Sequence, residues 1–301
     1  MTTQLLISID GEILAEHYWR GASVSSTQDC GSVQKSATAL VLGQLVSEGA
    51  IYLDAPVAEY LGAGWSQVKP EIEGSITVRH LATMSSGLND DLEFDGPPGT
   101  IWYYNNNAYH RLRKLLELVT GLDSNNLFTQ RLFGPLGMTR SRFVPRPGSE
   151  DADGWPQSGL HTCARDLWYL GSAVQRGRDL GCTEEYLRQM LSASTGLNPS
   201  YGYLWWRLRG PSAVLPDGTI AERAIDRKHV FGRIELDHPI AAAAPPDAVG
   251  VFGKGDQRLY LANSAGIVAV RLGLDSGGFS IGSFDCEFWS RIGTHSIATK
   301  N

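Results

Sequence analysis

Two Ser-x-x-Lys pairs stand in the sequence, Ser32-Val-Gln-Lys35 and Ser66-Gln-Val-Lys69. On a helix, residues three apart share a face about one turn from each other, so the amine reaches the hydroxyl. A buried lysine loses its proton near neutral pH and can then accept one from serine, which makes the serine a nucleophile. The start of a helix adds free N–H groups and partial positive charge beside a developing anion. A pair of this kind arises by chance about once in a chain of this length, so the flanking residues must separate the two. Lys69 precedes Pro70, which disfavours helix at Lys69, and Ser66 reads as a solvated loop serine. Ser32 opens a run in which Val33, Ala37, Leu40, Val41 and Leu45 recur on one face up to Glu48, with Gly49 as the stop. The simplest alternative for Ser32 is a helix N-cap.

These residues need elements that hold them. Leu5–Ile9 and Glu12–Trp19 read as strands around Asp10-Gly11, a strong hairpin signal. Thr77 caps a short helix over 78–84, and a long helix runs from Asn106 to Thr120 with Gly121 as its stop. Further helices cover 125–133, then from a Thr162 cap to Arg176, then 184–191. Tyr203–Leu208, Arg258–Leu261 and Ile267–Leu272 read as strands, and a last helix covers 284–292. The stretch from Arg209 to Asp247 is expected to be an inserted loop, because Ala241–Ala244 followed by Pro245-Pro246 fits no core element. Strands at both ends with helices between them predict an α+β fold. An antiparallel sheet lobe flanked by helices (about 1–55 and 197–301) is expected beside an all-helical lobe (about 56–196).

The 301 residues are 42% hydrophobic and 19% charged, enough for one large core or two intergrown lobes. A net charge of -6 offers no basic footprint for nucleic acid or for an anionic membrane. The N-terminus shows no basic-then-apolar leader, and no apolar run reaches the roughly 18 residues of a membrane span, so a cytoplasmic location is expected. Cys30, Cys163, Cys182 and Cys286 form no C-x-x-C pair, so neither zinc nor structural disulfides are expected. His80, His110 and His161 show no metal-ligand spacing, and no glycine-rich phosphate loop stands out. Neither metal nor cofactor is therefore expected.

The order of motifs along the chain resembles the class-C β-lactamase-related, penicillin-recognising serine hydrolases. The resemblance rests on Ser32-Val-Gln-Lys35-Ser36, Glu48-Gly-Ala-Ile-Tyr-Leu-Asp-Ala-Pro56 and Ile76-Thr-Val-Arg-His-Leu-Ala-Thr-Met-Ser-Ser-Gly-Leu88. It continues through Tyr104-Asn-Asn106-Asn-Ala-Tyr109, Pro135-Leu-Gly-Met138, the Thr162–Asp166 helix start and Tyr201-Gly-Tyr-Leu-Trp-Trp206. It implies a β-lactamase/transpeptidase-like fold with the active site between its two lobes and an acyl-serine intermediate on Ser32. Members of the family include β-lactamases, DD-peptidases, esterases, amidases and acyltransferases.

The resemblance also implies site roles. Tyr104 is the catalytic tyrosine of a Tyr-x-Asn motif; Tyr103-Asn-Asn105 fits the same pattern, but Tyr109 stands five residues after Tyr104, where the family has another aromatic. A phenol acting as a base must have its pKa lowered, and Lys35 is the expected cause. Asn106 orients Lys35 or binds the substrate amide. The family's Lys-Thr-Gly strand motif is replaced by Val251-Phe252-Gly253, although the loop can be read one register differently. Gly253 permits close backbone approach, and the backbone amides of Ser32 and Lys254 become the oxyanion donors. Val251, Phe252, Gly253, Trp205 and Trp206 are the remaining expected substrate contacts. With no lysine at 251, the expected substrate is a small ester or amide lacking a β-lactam-type carboxylate. The alternatives are an acyltransferase using the same acyl-serine and an inactive ligand-binding homologue.

Overall fold

The computed structural model describes residues 1–150, 156–177, 180–217, 229–274 and 281–298. Strands β1 (Thr2–Ile9) and β2 (Glu12–Tyr18) form the expected hairpin, with Asp10 and Gly11 both at positive φ in its turn. After β3 (Gln28–Asp29), a 3-10 turn over Gly31–Val33 leads into α1 (Gln34–Ser47). Helix α2 (Val78–Ala82) begins at a Thr77 cap, as expected, and α3 (Asn106–Thr120) ends at left-handed Gly121. Then come β4 (Arg142–Glu150), β5 (Pro156–Thr162), α4 (Ala164–Gln175) and α5 (Glu184–Met190). The chain finishes with β6 (Trp206–Arg207), β7 (Ala213–Asp217), β8 (Gly232–Leu236), β9 (Val249–Gly253), β10 (Gln257–Ala262), β11 (Ile267–Gly273) and α6 (Ser283–Ala298).

The main sheet runs in the order β2-β1-β11-β10-β9-β6, and every pair in it is antiparallel. The two ends of the chain meet in it as β1 beside β11, so the α+β reading holds. All six residues of β10 are buried, because both faces of the sheet are covered. Helix α4 packs on β11, β10 and β1, although it lies inside the stretch expected as the helical lobe. On the opposite face α6 brings Trp289 and Phe288 against Tyr260, with ring centroids 5.6 and 4.9 Å away. Asp285 of α6 is fully buried and accepts from Arg258 Nε at 2.9 Å, from the Tyr260 hydroxyl and from Gly282 N at 2.7 Å.

Several expectations need correction. Helix α1 was expected to have one apolar face, but every residue from Gln34 to Leu45 is buried. It runs through the middle of the molecule, against α3, α5 and the 129–133 turn, so no side of it meets water. Thr162 does not cap α4. Cys163 holds the N-cap position, and the Ala164 amide donates instead to Gln4 Oε1 of β1 at 2.9 Å. The helix expected over 125–133 is a short one at Ser124–Phe128 followed by a π turn over Thr129–Phe133. Only Trp206–Arg207 of the 203–208 stretch pairs as a strand.

Ser66 is buried rather than solvated, and its hydroxyl donates to Glu73 at 2.6 Å. Lys69 is extended, as Pro70 requires. The β4–β5 hairpin escaped the sequence reading because Pro145, Pro147 and Gly148 interrupt its alternation. The described part of the 209–247 stretch contains the β7–β8 hairpin, not only loop; residues 218–228 lie outside the described residues. No helix among the described residues is long and apolar enough to cross a membrane.

The Asp285 cluster joins α6 to the sheet, which makes a stability prediction. Removing one partner of a buried, hydrogen-bonded ion pair costs about 3–5 kcal/mol. Asp285→Ala should lower the unfolding free energy in urea by that amount. A loss below about 1 kcal/mol would mean that the pair is dispensable to the fold.

Candidate active site

The 3-10 turn that carries Ser32 is held from below. Cys30 N donates to Leu160 O of β5 at 2.9 Å, and Gly31 N donates to Asp29 Oδ1 at 2.8 Å. Asp29 is itself gripped by Arg146 of β4, with Nε at 2.8 Å and Nη2 at 3.0 Å. One turn into the helix, Lys35 is only 3% exposed. Its Nζ lies 2.8 Å from Ser32 Oγ and 2.9 Å from Asn106 Oδ1. The rings of Tyr104 and Tyr109 stand 4.9 and 4.6 Å from the same nitrogen.

Burial lowers the Lys35 ammonium to about 7, and the charges of Arg146 and Arg113 push it the same way. Near neutral pH the amine and the ammonium are therefore both populated. Arg113 is a fully buried α3 residue that donates to Ser158 O at 2.9 Å. Neither arginine was singled out from the sequence. Arg146 lies in the unrecognised β4–β5 hairpin, and Arg113 had no local motif to mark it.

The two tyrosines part company in the structure. The Tyr103 hydroxyl donates to the carboxylate of Asp90, whereas the Tyr104 hydroxyl interacts with Ser32. Asn106 reaches Lys35, while Asn105 caps α3 by accepting from Ala108 N at 2.9 Å. The Tyr104-Asn-Asn106 register is thus the one that meets Ser32 and Lys35. Tyr109 also closes on this cluster, its hydroxyl 2.9 Å from Thr38 Oγ1. One expectation fails here. Lys35 does not lower the Tyr104 phenol; burial raises it above its ordinary value, with only the Ser32 hydrogen bond pulling the other way. The reason is burial itself, which strips a phenolate of its hydration, with Tyr109 acting in the same direction.

Strand β9 supplies the opposite wall. Val251 pairs with Leu259 and Gly253 with Gln257, so Val251-Phe252-Gly253 forms the end of the strand. A Cβ on Gly253 would stand 2.1 Å from Cys30 O, which only glycine avoids. A Cβ on Gly31 (φ 56°) would stand 2.8 Å from Lys254 N. The Lys254 amide therefore lies against the Ser32 turn, while its side chain is exposed. Trp206 stacks over Tyr104 at 6.3 Å between centroids, and Phe252 backs Trp206 at 5.8 Å. Val251 is 1% exposed and Trp205 fully buried. Both were expected to touch substrate, and they are buried as deeply as Phe252 and Trp206, which were expected to do the same. Phe231, unnoticed in the sequence, makes a T-shaped contact with Tyr104, with ring centroids 5.7 Å apart. Among the described residues no three His, Cys, Asp or Glu side chains converge as a metal site.

The beta-lactamase family model matches residues 2–272. The chain belongs to the beta-lactamase family. Penicillin-binding protein 4 of Amycolatopsis lactamdurans is 29% identical over 169 residues, covering 47% of this chain and 44% of the relative. A D-aminopeptidase of Cereibacter sphaeroides is 25% identical over 205 residues, 54% of this chain and 38% of the relative. The matched stretches thus span less than half the length of these two relatives. The solved structure of EstCE1, a hydrolase with promiscuous acyltransferase activity, superposes with a TM-score of 0.70 at 15% identity, covering 97% of this chain and 93% of its own. The α+β architecture is accordingly the β-lactamase/transpeptidase-like fold.

Since the Tyr104 hydroxyl meets Ser32 and the Tyr103 hydroxyl does not, their phenylalanine variants should differ. Tyr104→Phe should cut turnover about 10²–10⁴-fold, the usual cost of losing a proton-transfer group. Tyr103→Phe should leave it within about tenfold, the smaller change expected of a group outside the proton path. Steady-state kinetics on one ester would check both; the reverse order would assign the role to Tyr103.

Proposed function

We propose that this protein is a serine hydrolase that forms an acyl-Ser32 intermediate on uncharged ester or amide substrates. The observation that carries the reading is the buried Lys35 amine, held between Ser32 Oγ and Asn106 Oδ1 at 2.8 and 2.9 Å and lowered to about 7. A neutral amine at that distance is a base already in place for the serine proton.

As Ser32 Oγ attacks the carbonyl carbon, its proton passes to Lys35. The carbonyl π pair moves onto oxygen, and the backbone amides of Ser32 and Lys254 stabilise that oxyanion. When the tetrahedral species collapses, the bond to the leaving oxygen or nitrogen breaks. Tyr104, kept as a neutral phenol by its burial, gives that atom a proton and is refilled from Lys35. Water then attacks the acyl-enzyme through the same groups in reverse, releasing the carboxylic acid and free Ser32. The D-aminopeptidase relative supports amides as substrates, and the EstCE1 likeness supports a second reading, transfer of the acyl group to an alcohol or amine. The complete Ser32, Lys35 and Tyr104 set speaks against an inactive homologue.

Substrate charge follows from the third motif. The family's lysine is replaced by buried Val251, Lys254 turns its side chain to solvent, and Arg146 is committed to Asp29. Among the described residues, none of these three gives a desolvated substrate carboxylate a charge-assisted partner there. A panel of esters, amides and β-lactams with intact-mass detection should show an adduct that Ser32→Ala abolishes, with turnover falling at least about 10³-fold. In matched pairs, kcat/KM should favour the methyl ester or amide over the free acid. A wild-type preference for the free acid would overturn the charge argument, and an adduct surviving in Ser32→Ala would overturn the nucleophile.

The pH dependence is also fixed in sign. Lys35 must be neutral to accept the serine proton, and its pKa is about 7. The rate of acylation should therefore be flat above that pH and fall about tenfold per unit below it, as for a single essential base. An acylation rate that declines with rising pH between 6 and 8, roughly the span around that pKa, would exclude Lys35 as the base.

A further inference from the structure

Two side-chain amides outside the catalytic set link the segments that carry the two proposed oxyanion donors. Gln257 opens β10 opposite Gly253 and is 2% exposed. Its Nε2 donates to the carbonyls of Lys254 (3.2 Å), Gly255 (3.1 Å) and Gly273 (2.7 Å). These bonds clamp the 254–256 turn, where Gly255 and Asp256 both have positive φ. Its Oε1 accepts from Gly273 N at 3.0 Å and from Gln28 Nε2 at 3.0 Å. Gln28 also donates to Gly273 O at 2.6 Å and accepts from the Thr3 hydroxyl at 2.8 Å. It stands in β3 beside Asp29, whose carboxylate holds Gly31 N, directly before Ser32.

We infer that Gln257, tied to Gln28, is a positioning residue that sets the gap between the Ser32 and Lys254 amides. The inference rests on the acyl-serine reading above. An oxyanion hole works only when both donors stand about 2.7–3.1 Å from the developing anion. Gly253 against the Cys30 carbonyl sets the closest approach of the two segments. Gln257 sets the farthest: its Nε2 holds the Lys254 and Gly255 carbonyls while its Oε1 is tied to Gln28 in β3, so the turn and β3 cannot part without breaking one of these bonds. A steric lower limit and a hydrogen-bonded upper limit together define one spacing. The Gln28–Gln257 bond crosses from β3 to β10, two strands that do not pair with each other.

The test uses the full chain and compares an oxygen ester with its thionoester, in which the larger sulfur, a poorer acceptor, fits a tight two-amide hole badly. The wild type should label at Ser32 with a fluorophosphonate and strongly prefer the oxygen ester. Gln28→Ala and Gln257→Ala should still label at Ser32 and unfold cooperatively. Their kcat on the oxygen ester should fall about 10–100-fold with KM within about twofold, the pattern of an interaction lost in the transition state. The oxygen-to-sulfur preference should shrink by at least about tenfold, because a loosened hole no longer discriminates. An unchanged preference in both variants overturns the inference, whatever happens to the rate. Failure of both to fold overturns it as well, by assigning the amides to stability alone. A wild type that never labels at Ser32 would instead refute the acyl-serine reading, before either variant is examined.

Discussion

A lysine amine in a protein interior is costly unless it is neutral or well paired, and this structure is arranged around one. Lys35 sits in a helix buried on every side, between a serine, an asparagine and two tyrosine rings, with two guanidinium groups close enough to disfavour its charge. Desolvation and neighbouring positive charge act in the same direction. The result is an amine that can exchange a proton with Ser32 near neutral pH. Helix α1 must therefore run through the centre of the molecule, and the sheet and the remaining helices must close around it.

That constraint explains the division of labour proposed for the two proton-transfer groups. The burial that frees the Lys35 amine also keeps Tyr104 protonated, since a phenolate would be uncompensated among Trp206, Trp102 and Phe231. In that proposal the same low-polarity surroundings favour the neutral amine as the base and the neutral phenol as the acid. Two acidic or two basic forms side by side would need opposite environments within a few ångströms.

The anion site is proposed to depend on backbone rather than on side chains, so its precision comes from how two segments distant in sequence are docked. Asp29 and Arg146 hold the Ser32 turn, and Gly253 meets the Cys30 carbonyl with no room for a side chain. The charged cluster of Arg258 and Asp285 lies on the other face of the same strands and secures α6 there. A rigid sheet behind the Lys254 turn is what allows an amide with no side-chain role to be placed so closely.

Local chemistry was legible in the sequence wherever it repeats along the chain. The Ser32–Lys35 spacing, the Asp10-Gly11 turn, the Thr77 cap and the Asn106–Thr120 helix all follow from neighbours within a few residues, and their geometry needs nothing else. The choice of Tyr104 over Tyr103 was legible only through the family resemblance, which places another aromatic five residues on, at Tyr109. What depends on partners far away in the chain was not. Arg146 reaches Asp29 across 117 positions, and Gln28 reaches Gln257 across 229. The full burial of α1, and with it the lowered Lys35 and raised Tyr104, comes from surfaces that close only when the first and last strands pair. Hydrogen-bond reach and helical period act locally, so sequence by itself determined the candidate nucleophile and its base. Desolvation is a property of everything packed around a group, so only the tertiary structure decided their protonation states and the placement of the amides that face them.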